Sequence, residues 1–141
     1  MSPLLRVYTD GIYDPFHRGH VESFKQIKHL YPDYELVVGV VNDLEAIGYK
    51  REPIYSEEDR YSLVESCRYV DELIKNAPLI MTEDFLIDNR IDLVVHGFSN
   101  SADSAKQSEF YRVPISLGKF KEIPYYDKIS SSDIIRKIKE A

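Results

Sequence analysis

The chain holds 141 residues, 43% hydrophobic and 30% charged, with 18 basic against 24 acidic side chains for a formal net charge of −6. That composition excludes global disorder, and the length suits one domain with a sizeable core but not two ordinary ones. The acidic balance argues against a nucleic-acid surface, which needs clustered Lys and Arg, yet a few local cations or a helix N-terminus can still hold a phosphate.

In chain order, Met1–Asp10 lacks the profile of a signal peptide, its apolar run being short and ending in acid. Leu4–Thr9 predicts a short buried strand and 10–15 a loop. Apolar residues at Val21, Phe24 and Ile27 predict a helix from about His17 to Leu30, broken by Pro32-Asp33. Glu35–Val41 is a second strand, and Asn42–Pro53 is loop-like. Ser56 caps a helix that runs to about Cys67 with acids in its first turn. Cys67 is the one cysteine, which excludes an internal disulfide framework and a cysteine-rich zinc site. Val70–Ile74 is a third strand, Thr82 opens a short helix ending near Arg90, and Ile91–His96 is a fourth strand. The polar tract Gly97–Ser108 is expected to be mobile. A helix from about Ser104 to Arg112 should stop before Pro114, which has no N–H for the ladder. Phe120–Ile123 is a short fifth strand, and Ser130 caps a final helix. No stretch approaches the roughly 18 apolar residues of a membrane helix, so no integral membrane segment and a cytoplasmic location are the default expectations.

Strands that alternate with helices and are apolar throughout predict an α/β fold, a parallel five-stranded sheet covered on both faces in one doubly wound domain over 1–141. Ligands in such sheets sit beyond the carboxyl ends of the strands, where strand order reverses. The loops after Thr9, Val41 and His96 are therefore the ones to inspect.

His17-Arg18-Gly19-His20 stands after the first strand, where the first helix begins. Histidines three apart share a helix face, Gly19 permits close approach, and the helix end supplies free N–H groups. This is a phosphate-binding corner whose imidazoles can meet charge developing on phosphoryl oxygens. Two plainer readings stay open: one surface and one core histidine, or a pair chelating a metal with Asp14 or His96 as further ligands. No carboxylate-rich cluster accompanies the pair, and no metal ligands are assigned.

The run Asp10-Gly11-Ile12-Tyr13-Asp14-Pro15-Phe16-His17-Arg18-Gly19-His20 resembles the opening motif of the cytidylyltransferases that act on phosphocholine, phosphoethanolamine or glycerol 3-phosphate. The resemblance continues through Arg60-Tyr61, Cys67–Glu72, Asn76-Ala77-Pro78, Ile91–His96 and Ile129–Ile135, at matching separations over nearly the whole chain. It implies a Rossmann-like nucleotidyltransferase domain in which a phosphomonoester oxygen attacks the α-phosphate of CTP and pyrophosphate leaves. Such chemistry needs positioning and charge stabilisation rather than a nucleophilic side chain. Mg²⁺ on the triphosphate is expected from the family.

By this resemblance His17, His20 and Lys50 are the catalytic candidates, with Lys50 reaching phosphates from the opposite side; a solvated loop lysine is its alternative. Gly11, Ile12 and Tyr13 match nucleotide-binding positions, as do His96 and Gly97 at the fourth strand's end. Ile129, Ser130 and Ser131 match the close of the site, with simple capping as the alternative for the serines. Asp14 matches an acid near the acceptor, able to pair with an ammonium head or merely to shape the turn before Pro15. Arg68–Glu72 is similar to a segment at the family's dimer interface, which implies a homodimer.

The chain departs from the pattern at several places. The family's phosphate-binding arginine before Ile-Ser-Thr falls in Tyr125-Tyr126-Asp127-Lys128, where Lys128 offers only a displaced point charge. Leu79 and Ser101 stand where choline members carry aromatics, and Gly97-Phe98-Ser99 replaces the usual acids after the strand-end histidine. Among the 11 tyrosines, Tyr111, Tyr125 and Tyr126 are candidates to rebuild an aromatic pocket. Phosphoethanolamine is the preferred acceptor, then glycerol 3-phosphate or phosphocholine. A nucleotide-binding homologue with weak or no catalysis is the alternative. The sequence carries neither the long basic amphipathic helix of some choline members nor a second catalytic domain, as expected of a minimal enzyme or a fragment.

Overall fold

A computed structural model describes residues 4–141; the reading of Met1–Pro3 lies outside it. The strands β1 (Leu5–Gly11), β2 (Tyr34–Val41), β3 (Glu72–Ala77), β4 (Leu93–His96) and β5 (Phe120–Glu122) form one sheet in the order β3-β2-β1-β4-β5. Every pairing is parallel, with Val7 opposite Leu36 on one side and Leu93 on the other. The doubly wound expectation holds, and strand order reverses between β1 and β4.

Neighbouring residues on each strand feed different cores, because side chains alternate across a pleated strand. Val7, Leu36, Val38 and Val95 pack on Phe24 and Ile27 of α1 (Arg18–Leu30) and on Tyr61 and Val64 of α3 (Glu57–Glu65). Tyr8, Val37 and Val94 face the other way, onto Leu86 of α4 (Glu83–Asp88) and Tyr111 of α6 (Ser108–Ser116). With both faces buried, β2 shows a nearly unbroken buried run.

Four elements differ from expectation. Asn42–Pro53 contains a helix, α2 (Asp43–Tyr49), which buries only Ala46 and so carries little apolar periodicity. It is defined by its ends: Asn42 Oδ1 accepts from Glu45 N at 2.8 Å. Its Asp43 N–H donates to Glu57 at 2.9 Å while Glu57 N–H donates to Asp43 at 3.2 Å, so α2 and α3 cap each other. β3 begins later than predicted, since Val70 sits in a turn bonded to Cys67 O and the strand's far end, Lys75-Asn76, is exposed and polar. The polar tract after Gly97 folds as α5 (Ser101–Lys106), capped by Asn100. Pro114 lies inside α6 rather than beyond it. The helical carbonyl that its missing N–H would have used belongs to Phe110, and that carbonyl accepts instead from Met81 N at 3.2 Å. The last helix, α7 (Ser131–Glu140), starts at Ser130 as expected.

Arg60, fully buried, ties the site's frame together. Its guanidinium donates to Ile12 O at 2.9 Å, Val41 O at 2.7 Å, Tyr55 O at 3.2 Å and Asp43 Oδ1 at 2.7 Å. One side chain thereby satisfies carbonyls from the loops after β1 and β2.

Candidate active site

The carboxyl ends of β1 and β4 open into a cleft of about 340 Å³ at the point where strand order reverses. His17, His20 and Lys50 all line it. So do Gly11, Ile12, Tyr13 and Asp14 from the first loop, His96 and Gly97 after β4, and Ile129, Ser130 and Ser131 before and at the start of α7. Residues spread over 121 positions in sequence thus share one wall-to-wall space.

The two motif histidines cap their own helix. His17 is the N-cap of α1, its Nδ1 accepting from Gly19 N at 2.9 Å, while His20 Nδ1 accepts from His17 N at 3.1 Å. The N–H groups of His20 and Val21 turn back to His17 O. Most first-turn amides are therefore spent inside the helix, and the imidazoles take their place as the groups facing the cleft. A backbone N–H can only donate, so both Nδ1 atoms are acceptors and each neutral ring carries its proton on Nε2. Neither Nε2 has a protein partner, and neither is sealed off: the buried polar side-chain atoms without partners, among the described residues, are the Tyr8 and Tyr49 hydroxyls. Burial, then His17 and Lys50, pulls the His20 pKa down to about 3, and burial lowers that of His17. Near neutral pH both rings are uncharged N–H donors. Phe16 stacks on His20 with centroids 5.5 Å apart, which fixes the ring plane.

Lys50 follows directly on α2, where desolvation in the cleft lowers its pKa against the raising effect of Asp103. Asp14 also lines the cleft. Its side chain is fully buried and accepts from Arg51 Nη1 at 2.7 Å, Ile54 N at 2.7 Å and Tyr55 N at 2.8 Å. Those bonds hold the carboxyl ionised despite its burial. That clasp engages both carboxylate oxygens and ties the first loop to the stretch after Lys50.

Several cleft residues were not singled out from sequence. Asp103 on α5 accepts from Ser99 N at 3.1 Å and Gln107 Nε2 at 2.8 Å, which keeps its pKa low in the cleft wall. Beneath the mouth, Tyr111 OH lies 2.8 Å from Asp10 Oδ1 and 2.9 Å from His96 Nδ1. Asp10 is buried near the carboxyl end of β1; an acid at the end of a buried strand is the signal a sequence reading could have used. Its partner Tyr111 is 101 residues away in sequence, and no local pattern joins them. Tyr111, Tyr125 and Tyr126 all line the cleft beside Tyr49 and Phe110, so aromatic faces are present although Leu79 is not one of them. Lys128 is absent from the cleft lining among the described residues, and does not stand in for an arginine. At α7, Ser130 Oγ is taken by Asp133 N at 3.1 Å, leaving the amides of Ser131 and Ser132 toward the cleft.

No three His, Cys, Asp or Glu side chains come together as a cation cage among the described residues.

A family model described as cytidylyltransferase-like matches residues 8–137. The chain is 40% identical over 134 residues to choline-phosphate cytidylyltransferase A of Homo sapiens, covering 95% of this chain and 36% of that protein. It is 36% identical over 135 residues to ethanolamine-phosphate cytidylyltransferase of Arabidopsis thaliana, covering 93% of this chain and 31% of that one. It thus spans about a third of the length of these relatives. Among solved structures, the lipopolysaccharide core biosynthesis protein of Thermoplasma volcanium superimposes with a TM-score of 0.68 at 29% identity, over 89% of this chain and all of that one.

Proposed function

The chain belongs to the cytidylyltransferase-like family, and from that premise we propose that it transfers CMP from CTP to a small phosphorylated alcohol, releasing pyrophosphate. The observation that carries the reading is the reciprocal histidine cap, which places two neutral imidazole N–H donors side by side, centroids 4.0 Å apart, at the sheet's switch point.

An oxygen of the acceptor's phosphomonoester attacks the α-phosphorus of CTP; the bond from that phosphorus to the bridging oxygen breaks and pyrophosphate departs. No side chain is needed as nucleophile. His17 and His20 donate from Nε2 to phosphoryl oxygens as negative charge builds, without the desolvation cost of an imidazolium. Lys50 supplies the positive charge, and the free amides of α7 meet oxygens from the other wall. Mg²⁺ enters as part of the Mg²⁺–CTP substrate, shielding the triphosphate. His96 and Gly97 lie where a nucleoside would rest.

Phosphoethanolamine remains the first acceptor proposed, with Asp103 on the cleft wall a further carboxylate beside Asp14 for its ammonium. The aromatic lining makes phosphocholine a closer second than its missing family aromatics imply, and glycerol 3-phosphate follows. Pyrophosphate release from Mg²⁺–CTP with each acceptor tests this. Turnover with one or more supports transfer, and none with any would sink it.

A second reading has its own observation. The cationic side chains in the cleft lining are Lys50 and Arg51, and Arg51 is bound to Asp14, so Tyr125 leaves the triphosphate one cation short. CTP binding by calorimetry without pyrophosphate release is the signature of a nucleotide-binding homologue. A homodimer through Arg68–Glu72 is part of the proposal. Asp71 and Glu72 are paired with Lys28 and Arg6 within the chain, so Arg68 and Tyr69 are the side chains available to a second copy. Sedimentation of the wild type and of Arg68→Glu measures it. A cytoplasmic location belongs to the same reading, supported by a free Cys67 in place of a disulfide.

A further inference from the structure

Tyr111 OH stands between Asp10 Oδ1 and His96 Nδ1, at 2.8 and 2.9 Å, with one proton to give. When Asp10 is a carboxylate it can only accept, so Tyr111 donates to it. The tyrosine oxygen then accepts from His96, whose proton must lie on Nδ1, leaving Nε2 as a bare acceptor. When Asp10 is a carboxylic acid with its proton on Oδ1, the oxygen facing Tyr111, it donates to the Tyr111 oxygen, Tyr111 donates to His96 Nδ1, and the ring proton lies on Nε2. His96 lines the cleft, and its Nε2, without a protein partner among the described residues, is not one of the buried unpartnered atoms.

We infer that Asp10, acting through the Tyr111 hydroxyl, sets the hydrogen-bond character that His96 Nε2 presents to the ligand, so that one proton gained at the carboxyl turns that nitrogen from acceptor into donor. Asp10 and Tyr111 are positioning residues, because they act on the ligand only through His96. In the ionised state the nitrogen suits a ligand hydroxyl or amino group; in the protonated state it suits a carbonyl or phosphoryl oxygen. The relay rests on the protein alone, whereas naming a nucleotide as its ligand rests on the transferase reading.

The surroundings leave Asp10 as the group that titrates. Burial raises its carboxyl to about 7, partly opposed by the Tyr111 bond. The phenols facing it, Tyr8 and Tyr13 from its own strand and loop and Tyr111 from α6, are pushed well above their ordinary range and stay neutral. Gly39, opposite on β2, carries no charge. Burial draws His96 down to about 4, with Asp103 of α5 raising it and Lys50 lowering it, so the ring remains uncharged across neutrality. The change at His96 is one of tautomer, not of charge.

Nitrogen-15 NMR of the ligand-free protein, labelled at histidine, reads this directly. The expected result is that His96 carries its proton on Nδ1 at about pH 8.5 and on Nε2 at about pH 5.5, swapping with a midpoint near 7 while the ring stays neutral. Asp10→Asn and Tyr111→Phe should each abolish the swap. An unchanged tautomer in the wild type, simultaneous protonation of both nitrogens at the lower pH, or a swap that survives in Asp10→Asn would overturn the relay. Should either variant not fold, the wild-type titration decides by itself. A protein that shows the swap yet releases no pyrophosphate sinks the transferase reading alone; an active transferase with a fixed His96 tautomer sinks the relay alone.

Discussion

Gly19 has no room for a methyl group. A Cβ there would lie 2.6 Å from His17 Cε1, so the ring that caps α1 must swing away. Gly19→Ala is expected to lower kcat by about tenfold or more while costing no more than the ~1 kcal/mol of a lost cap. His20→Ala, which removes an N–H donor outright, should lower kcat by about 10²–10³ with a similar loss of stability by thermal unfolding. An unchanged rate in His20→Ala removes the mechanism. At Asp10 the prediction is one of pH. Its folded pKa of about 7 lies above the ordinary carboxylate value of 3.8, so the folded state holds a proton that the unfolded chain releases. Asp10 therefore lowers stability progressively as pH rises from about 4 to about 7. The stability of Asp10→Asn relative to wild type should rise over that window, by roughly 4 kcal/mol, and level off above it. His20 and His96 have depressed pKa values and act oppositely, losing stability as pH falls below about 6.5, in both proteins alike.

At the level of elements, α2 is held by its N-terminus and its mutual cap with α3 rather than by an apolar face. Asn42 caps α2 and also donates to Asn76 on β3, so Asn42→Ala loosens the segment that ends at Lys50. It is expected to cost about 1 kcal/mol by denaturant unfolding and to raise the KM for CTP more than it lowers kcat. This helix also marks the limit of what the sequence made legible. The strands and α1 announce themselves because burial selects apolar periodicity, and Ser56, Thr82 and Ser130 announce their helices as caps. α2 and α5 bury little and hold themselves by Asn caps, which a reading led by apolar spacing passes over as loop. Pro114 misleads for another reason: its cost is a carbonyl without a donor, and Met81, distant in sequence, provides one. A tertiary contact cancelled a local rule.

Taken whole, the molecule gathers into one cleft the catalytic, nucleotide and acceptor candidates that the motifs pointed to, since parallel strands deliver all their carboxyl ends to the same edge. What the motifs could not convey is how those residues are held. Asp14 clasps residues 51–55, and Arg60, which reads as part of a motif, ties the ends of β1 and β2 together. Arg60→Met should destabilise by roughly 3 kcal/mol or more, because it strands the carbonyls of Ile12 and Val41 in the interior. A drop in Tm too small to measure would contradict that assignment.

The bonds of Asp14 to residues 51–55 have a mechanical consequence. Together with Arg60 they weld the histidine loop to the stretch after Lys50, making a single stiff jaw that carries all three catalytic candidates. The opposite jaw is α5 and α7, neither of which buries a residue. Under the proposed transfer, opening for a product to leave falls to that second jaw, while the first keeps its alignment. Amide hydrogen exchange should be faster along 101–106 and 131–140 than along 12–15 and 54–61, and a reversed order would place the hinge on the wrong side.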